Sequence, residues 1–142
     1  MRPVRSGVSF ASIDPDGVER FQRLRQELGL SAFGLNLIRL RPGQRGRIHR
    51  HLHQEEAYLV LEGSLTLVIE DGPCELGRGD LARVGPEVRR QLVNQSSRPV
   101  LVLAMGGANP HEGRDGRAYE AWDEQGEGRP PQDVPQPDDL PV

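Results

Sequence analysis

The chain has 142 residues, of which 35% are hydrophobic and only 4% aromatic, so it is sized for one domain with a core built from Leu, Val, Ile and Ala. Its net charge of -3 is small and gives no reason to expect nucleic acid or an anionic membrane as partner. All 18 basic residues are arginine, which excludes a Schiff-base or phosphate-loop lysine. Cys74 has no second cysteine to pair with, the apolar runs "AYLVL" and "VLVLAM" are too short to span a bilayer, and "MRPVRSGVSF" lacks the apolar stretch of a secretory signal. These features predict a soluble, cytoplasmic protein.

In chain order, "DPDGVERFQRLRQELG" predicts a short amphipathic surface helix without chemistry. Asp14 would cap it, Pro15 suits the first turn, Gly29 suits the exit, and Val18, Phe21, Leu24 or Arg25, and Leu28 recur at helical spacing. From Ser31 the period becomes two. Strands are expected in "SAFGLNLIRL", "RIHRH", "EAYLVLE", "SLTLVIED", "CEL", "DLARV", "RRQLVN" and "PVLVLAM", separated by glycine, proline and serine turns. Many short strands at close spacing predict an all-β antiparallel sandwich or barrel.

The last 34 residues, 109–142, hold six of the 12 prolines and nine of the 21 acids with only three arginines. They are read as an acidic, Pro-rich tail lying over a mildly basic body. Tyr119 and Trp122 in "YEAW" are the expected anchor, and extended or disordered chain is expected beyond Gly126. The organisation is thus an arm and helix over 1–30, a barrel over 31–108 and a tail over 109–142.

The chemistry concentrates in "GRIHRHLHQEEAYLVLEG". Residues two apart on a strand share a face, roughly 6.6 Å apart at Cα, so His49 and His51 can converge on one ion. Glu56 re-enters on the next strand and can bring a carboxylate. Two imidazoles and one carboxylate on one side of an ion make the facial set of non-haem iron sites, which manganese, nickel, cobalt and zinc also tolerate. Exposed polar residues on a strand are the competing reading.

The spacing Gly43, five residues, His49, one, His51, four, Glu56, six, Gly63 resembles the first motif of the cupin superfamily. The resemblance covers about residues 31–108 and implies a double-stranded β-helix, a jelly-roll-like barrel with the site inside. In cupins the position of His53 lies in a turn, which leaves His53 as a supporting or alternative ligand. Glu55 is expected to face solvent.

The second cupin motif is matched less well. In "GDLARVGPEVRRQLVN" Gly79 and Asn94 fall in place, but Gly85 and Glu87 replace the motif's turn residues and Arg90 stands where the fourth ligand, a histidine, is expected. A guanidinium offers only donors and cannot bind a cation. At about 6 Å and an effective dielectric of about 20 it would oppose a divalent ion by on the order of 5 kcal/mol. Tight structural zinc sites bind with roughly 10–16 kcal/mol, so a weakened site survives that term. Three arrangements stay open: Arg90 binds an anionic substrate group beside a metal, pairs with Glu56 in place of the metal, or swings to the rim.

Elsewhere, Asp71-Gly72 is the expected hairpin tip and Cys74 a structural thiol. Ser64, Ser96 and Ser97 sit in turns, and His111 is expected to be exposed at the start of the tail. The five arginines from Arg39 to Arg50 lack interleaved aromatics and suit a solvated or dimer-lining face better than nucleic acid. The sequence is therefore read as a homodimeric cupin holding a divalent transition metal (Mn, Fe, Ni, Co or Zn) through His49, His51 and Glu56. Tyr58, Val60 and Leu92 would line the pocket, and Arg90 would orient a small anionic molecule that is bound or transformed by an oxygenase- or isomerase-type activity. The rivals are a metal-free binding or sensing module and an assembly scaffold.

Overall fold

The computed structural model describes residues 6–108 and 114–141; His111 lies outside them. Ten strands follow in order: β1 (Phe21–Gln22), β2 (Gly34–Leu40), β3 (Ile48–His51), β4 (Glu55–Glu62), β5 (Leu65–Ile69), β6 (Gly72–Leu76), β7 (Leu81–Val84), β8 (Arg90–Val93), β9 (Val100–Gly107) and β10 (Gly116–Tyr119). They form two antiparallel five-stranded sheets, β1-β2-β9-β4-β7 and β10-β3-β8-β5-β6. Between the sheets lies an almost wholly aliphatic core in which Leu40, Val60, Leu65, Val100 and Val102 are buried with Tyr58. No helix among the described residues is long and apolar enough to cross a membrane.

The predicted helix is cut to one turn, α1 (Leu24–Leu28), which does end at Gly29 in the left-handed conformation. Asp14 caps a turn instead: its carboxylate accepts from the Asp16 N–H, and its carbonyl accepts from Gly17. The Arg39 guanidinium is so close to Gly17 that an added Cβ would meet it at 2.7 Å. Phe21 and Gln22 then pair with Ile38 and Leu37 of β2. The apolar residues at helical spacing are thus divided among a turn, an edge strand and one helical turn. Val18 is left 83% exposed, while Leu24 is buried. Cross-strand hydrogen bonds satisfy the backbone here, and Gly17 in a helix interior would have cost about 1 kcal/mol.

The motif residues that are not candidate ligands hold turns. Gly63 has φ +82°, and a Cβ there would stand 2.5 Å from the Pro99 carbonyl oxygen, so only glycine fits. Asn94 is fully buried. Its amide donates to the carbonyls of Leu40 (2.9 Å) and Arg98 (2.8 Å), and its Oδ1 accepts from the Ser96 N–H (2.9 Å) and hydroxyl (2.6 Å). Asn94→Ala would strand several of these groups and is expected to lower stability by about 2 kcal/mol. Urea unfolding checks this; an unchanged midpoint would count against the assigned role.

The C-terminal segment adds a strand that composition alone did not suggest. β10 pairs with β3, setting Gly116 opposite His51 and Ala118 opposite His49. Tyr119 is buried; its hydroxyl accepts from Arg50 Nε (2.8 Å) and donates to the Gly126 carbonyl (3.1 Å), while the Arg89 guanidinium lies 3.7 Å above its ring. Trp122 is half-buried. Beyond Gly126 the chain is irregular, with one 3-10 turn at Pro131–Asp133, but is tied to the body. Arg47 donates to the Val134 carbonyl (2.8 Å), Arg45 to the Asp138 carbonyl (2.8 and 3.0 Å), and Leu140 N–H to Gly43 (2.7 Å).

Candidate metal centre

His49 and His51 come from β3 in one sheet and Glu56 from β4 in the other, so the three side chains meet between the sheets. One donor atom from each lies within 4.8 Å of the others, which makes the group capable of holding a metal ion. His49 Nε2 is 3.3 Å and His51 Nε2 3.1 Å from Glu56 Oε1. Two donors at right angles on one first-row ion, each about 2.1 Å from it, would be about 3 Å apart.

The other ring nitrogens explain why Nε2 faces inward. His49 Nδ1 lies 3.2 Å from the Arg47 carbonyl and His51 Nδ1 2.8 Å from the Asp115 carboxylate, both acceptors only. Each ring therefore carries its proton on Nδ1 when neutral and turns the Nε2 lone pair toward Glu56. His51 Nε2 is buried and, despite its distance to Oε1, makes no hydrogen bond of acceptable direction. Two nitrogen lone pairs and a carboxylate oxygen facing one another repel unless a cation or extra protons come between them. This donor set fits a divalent transition metal.

Two further residues shape the group. Tyr58, two along β4 and on the same side, donates its hydroxyl to Glu56 Oε1 at 2.5 Å. Burial pushes the Tyr58 pKa well up, with the neighbouring Glu56 charge adding to it, so the phenol keeps its proton. For Glu56, burial acts upward, but the two imidazoles, when they carry the extra proton on Nε2, outweigh it and hold the carboxyl well below its usual range. Burial lowers the His51 pKa, but the carboxylates of Glu56 and Asp115 outweigh it and leave the value raised. Asp115 has no counterpart in the sequence reading. Its carboxylate accepts from His51 Nδ1, from the backbone N–H groups of His53 (2.7 Å) and Gln54 (2.8 Å), and from the Gln54 side chain (2.6 Å). Nothing in "GRDGRAY" marks it, since Asp-Gly reads as a turn.

Arg90 pairs across the strands with His49, so it shares the inward face, and its side chain is 0% exposed. The rim position is thus not taken. Its guanidinium donates to the carbonyls of Gly85 (3.1 Å), Val84 (3.4 Å) and His49 (3.5 Å), and its Nε stands 3.8 Å from Glu56 Oε1 without a hydrogen bond. Arg90 lines neither of the cavities that reach the cluster, because those carbonyls draw it back toward β7.

Glu56, Tyr58 and Leu92 line a cavity of about 290 Å³ that includes both histidines and is otherwise largely apolar. Val60 does not line it. Two residues further along β4, it is packed in the core, because the barrel is filled with aliphatic side chains at that level. His53 is exposed in the turn between β3 and β4 and is outside the donor group. Glu55 is exposed too and pairs with Arg83 (2.7 Å).

Two antiparallel sheets with histidine and glutamate donors between them define a cupin-type β-barrel. The family model described as Cupin domain matches residues 36–106, half of the chain, and the chain belongs to that family. A crystal structure of a sugar phosphate isomerase from a cupin superfamily, from Silicibacter pomeroyi, is 31% identical with a TM-score of 0.62. The match covers 71% of this chain and 65% of that one, so the chain spans just under two thirds of that relative's length. A cupin protein from Bacteroides fragilis is 22% identical (TM-score 0.66, covering 87% of this chain and 99% of that one). A Cupin 2 conserved barrel domain protein from Salinispora arenicola is 20% identical (TM-score 0.62, covering 71% and 89%). These two show the fold alone. No curated protein matches the chain at a significant level.

Proposed function

We propose that this cupin holds a divalent transition metal through His49, His51 and Glu56 and uses it to bind or transform a small anionic organic molecule. The observation that carries the reading is the pair of imidazole Nε2 atoms turned on one carboxylate oxygen, with both Nδ1 protons already committed elsewhere. When bound, the metal would supply Lewis-acid polarisation of a ligand oxygen. The chain's own residues fix the donors: Asp115 orients His51, the Arg47 carbonyl orients His49, and Tyr58 holds Glu56. The sugar phosphate isomerase among the similar structures supports an isomerase-type reaction on a sugar phosphate over an oxygenase. A metal-free binding module is favoured by one observation, the buried Arg90 beside Glu56.

Metal analysis separates the two. Protein purified without a His-tag or chelator is expected to carry close to one equivalent of manganese, iron, nickel, cobalt or zinc, and His49→Ala is expected to lose it. A metal-free protein whose melting temperature ignores all five ions would overturn the metal reading. Tyr58→Phe, which removes only the hydroxyl on Glu56, is expected to weaken metal binding by roughly tenfold, the low end of what loss of a supporting hydrogen bond costs. Competition with a chelating dye measures it.

A further inference from the structure

Two cavities reach the candidate centre and share part of their walls. The cavity described above is walled mainly by apolar side chains such as Ile38, Leu40 and Leu92, with Arg20 and Arg47 also on its wall. A second cavity, of about 700 Å³, also reaches His51 and Glu56, but its wall carries four arginines: Arg23, Arg25, Arg114 and Arg117. Among the described residues, Glu56 is its only acidic lining residue. The four arginines come from separated parts of the chain, beside and in α1 and just before and in β10.

Arg41, Arg78 and Arg98 also make no ion pair among the described residues; what sets these four apart is that they are unpaired and line one concavity. Arg45 and Arg47 hold the C-terminal segment, Arg50 holds Tyr119 and Glu127, Arg83 pairs with Glu55 and Arg129 with Glu120. Among the described residues, none of the four vestibule arginines makes an ion pair or a side-chain hydrogen bond, and Arg25 Nε is buried with no acceptor. Arg114 is also the one non-glycine described residue with a left-handed backbone, φ +59°, a conformation that costs of order 1–3 kcal/mol. Four unpaired positive charges around one concavity repel one another, and in a chain of net charge -3 they form a local field of opposite sign. An oxyanion between them relieves that repulsion, and guanidinium forks match phosphate oxygens two at a time.

We propose that this vestibule is the binding site for the phosphate group of a small phosphate monoester, whose uncharged end extends toward His51 and Glu56. The phosphate site itself stands on the arginines alone; only the direction of the uncharged end rests on the metal reading. The aliphatic cavity beyond the cluster takes carbon skeleton. The anion-binding role assigned at first to Arg90 passes to these four residues, which are open to a ligand where Arg90 is closed.

The test is calorimetric titration of the full chain with inorganic phosphate at about 0.15 M salt, where distant charges are screened. Saturable binding is expected in the wild type. The double variant Arg25→Gln/Arg117→Gln is expected to bind at least about tenfold more weakly, since each charge-assisted contact contributes appreciably. Arg83→Gln, which removes one positive charge on the outer face, is expected to stay within about twofold of wild type. Arg114→Gln alone leaves α1 and β10 intact and is expected to weaken binding about threefold, so the proposal stays open to refutation if the double variant folds poorly. Glu56→Ala is expected to retain phosphate binding, which separates this site from the metal: a protein that takes up no metal yet binds phosphate loses the metal reading and keeps the vestibule. No saturable binding in the wild type would overturn the proposal, as would unchanged affinity in the arginine variants.

Discussion

Arg90→Met is expected to tighten divalent metal binding by on the order of a thousandfold, measured by competition with a chelating dye. The side chain is wholly buried, stands on the strand facing His49 and keeps its Nε 3.8 Å from the carboxylate oxygen that would ligate the ion. Methionine fills similar length without charge, so it removes the repulsion on the incoming cation and frees Glu56 from a competing positive partner. The same change strips donors from the carbonyls of Val84, Gly85 and His49. The metal-free variant is therefore expected to be less stable than wild type by roughly 1–3 kcal/mol in urea. Opposite signs in the two measurements would show a residue that supports the fold and opposes the ion. Arg90→His should tighten metal further by adding an imidazole at the same inward position. Unchanged affinity in both variants would mean that the guanidinium is not felt at the cluster.

Asp115→Ala is expected to be the most damaging single change away from the donors themselves. Four donors end on this carboxylate, two of them backbone N–H groups in the turn between β3 and β4. Leaving them without an acceptor is expected to cost about 4 kcal/mol in urea unfolding. Metal affinity should fall by roughly 10- to 100-fold, because His51 loses the group that fixes its ring. Stability equal to wild type would sink this role. Burial alone would raise the Asp115 pKa, but the Gln54 and His53 N–H groups and His51 outweigh it and leave it lowered from 3.8. A carboxyl lowered in the folded state stabilises fully above its unfolded value and loses that contribution as pH falls through the folded one. The stability difference between wild type and Asp115→Ala should accordingly shrink on acidification through the folded pKa of the carboxyl, and shrink again as pH rises through the raised pKa of His51, where the extra proton that Asp115 helps to hold is lost.

The barrel strands were legible because each combines a period of two with a turn signal at its end, as in "AYLVLEG". His49, His51 and Glu56 were legible for a related reason: strand alternation dictates that they share a face, and their spacing from Gly43 and Gly63 fixes the intervening turns. Tyr58 followed from the same alternation, and so did the inward side of Val60. What alternation does not reveal is depth along the barrel, and Val60 is packed where aliphatic side chains have closed the space. The register of β8 was readable from Asn94, which put Arg90 at the fourth-ligand position, but its direction stayed open because the carbonyls that bind its guanidinium are tertiary neighbours. The stretch before Gly29 misled because edge-strand residues and a single helical turn fell by coincidence at helical spacing. Asp115 left no local signal at all, since its partners lie about sixty positions earlier in the chain.

The pairing of β10 with β3 has a thermodynamic consequence. The family match ends at residue 106, while the carboxylate that steers His51 and the strand flanking both histidines lie beyond residue 114. Any free energy that C-terminal docking lends to ion capture must be returned in equal measure, so a captured ion would hold the docked segment more firmly. Proteolysis within that segment should then be slower in the metal-loaded protein, and a barrel trimmed to its family boundaries would be a poorer chelator than its histidines suggest.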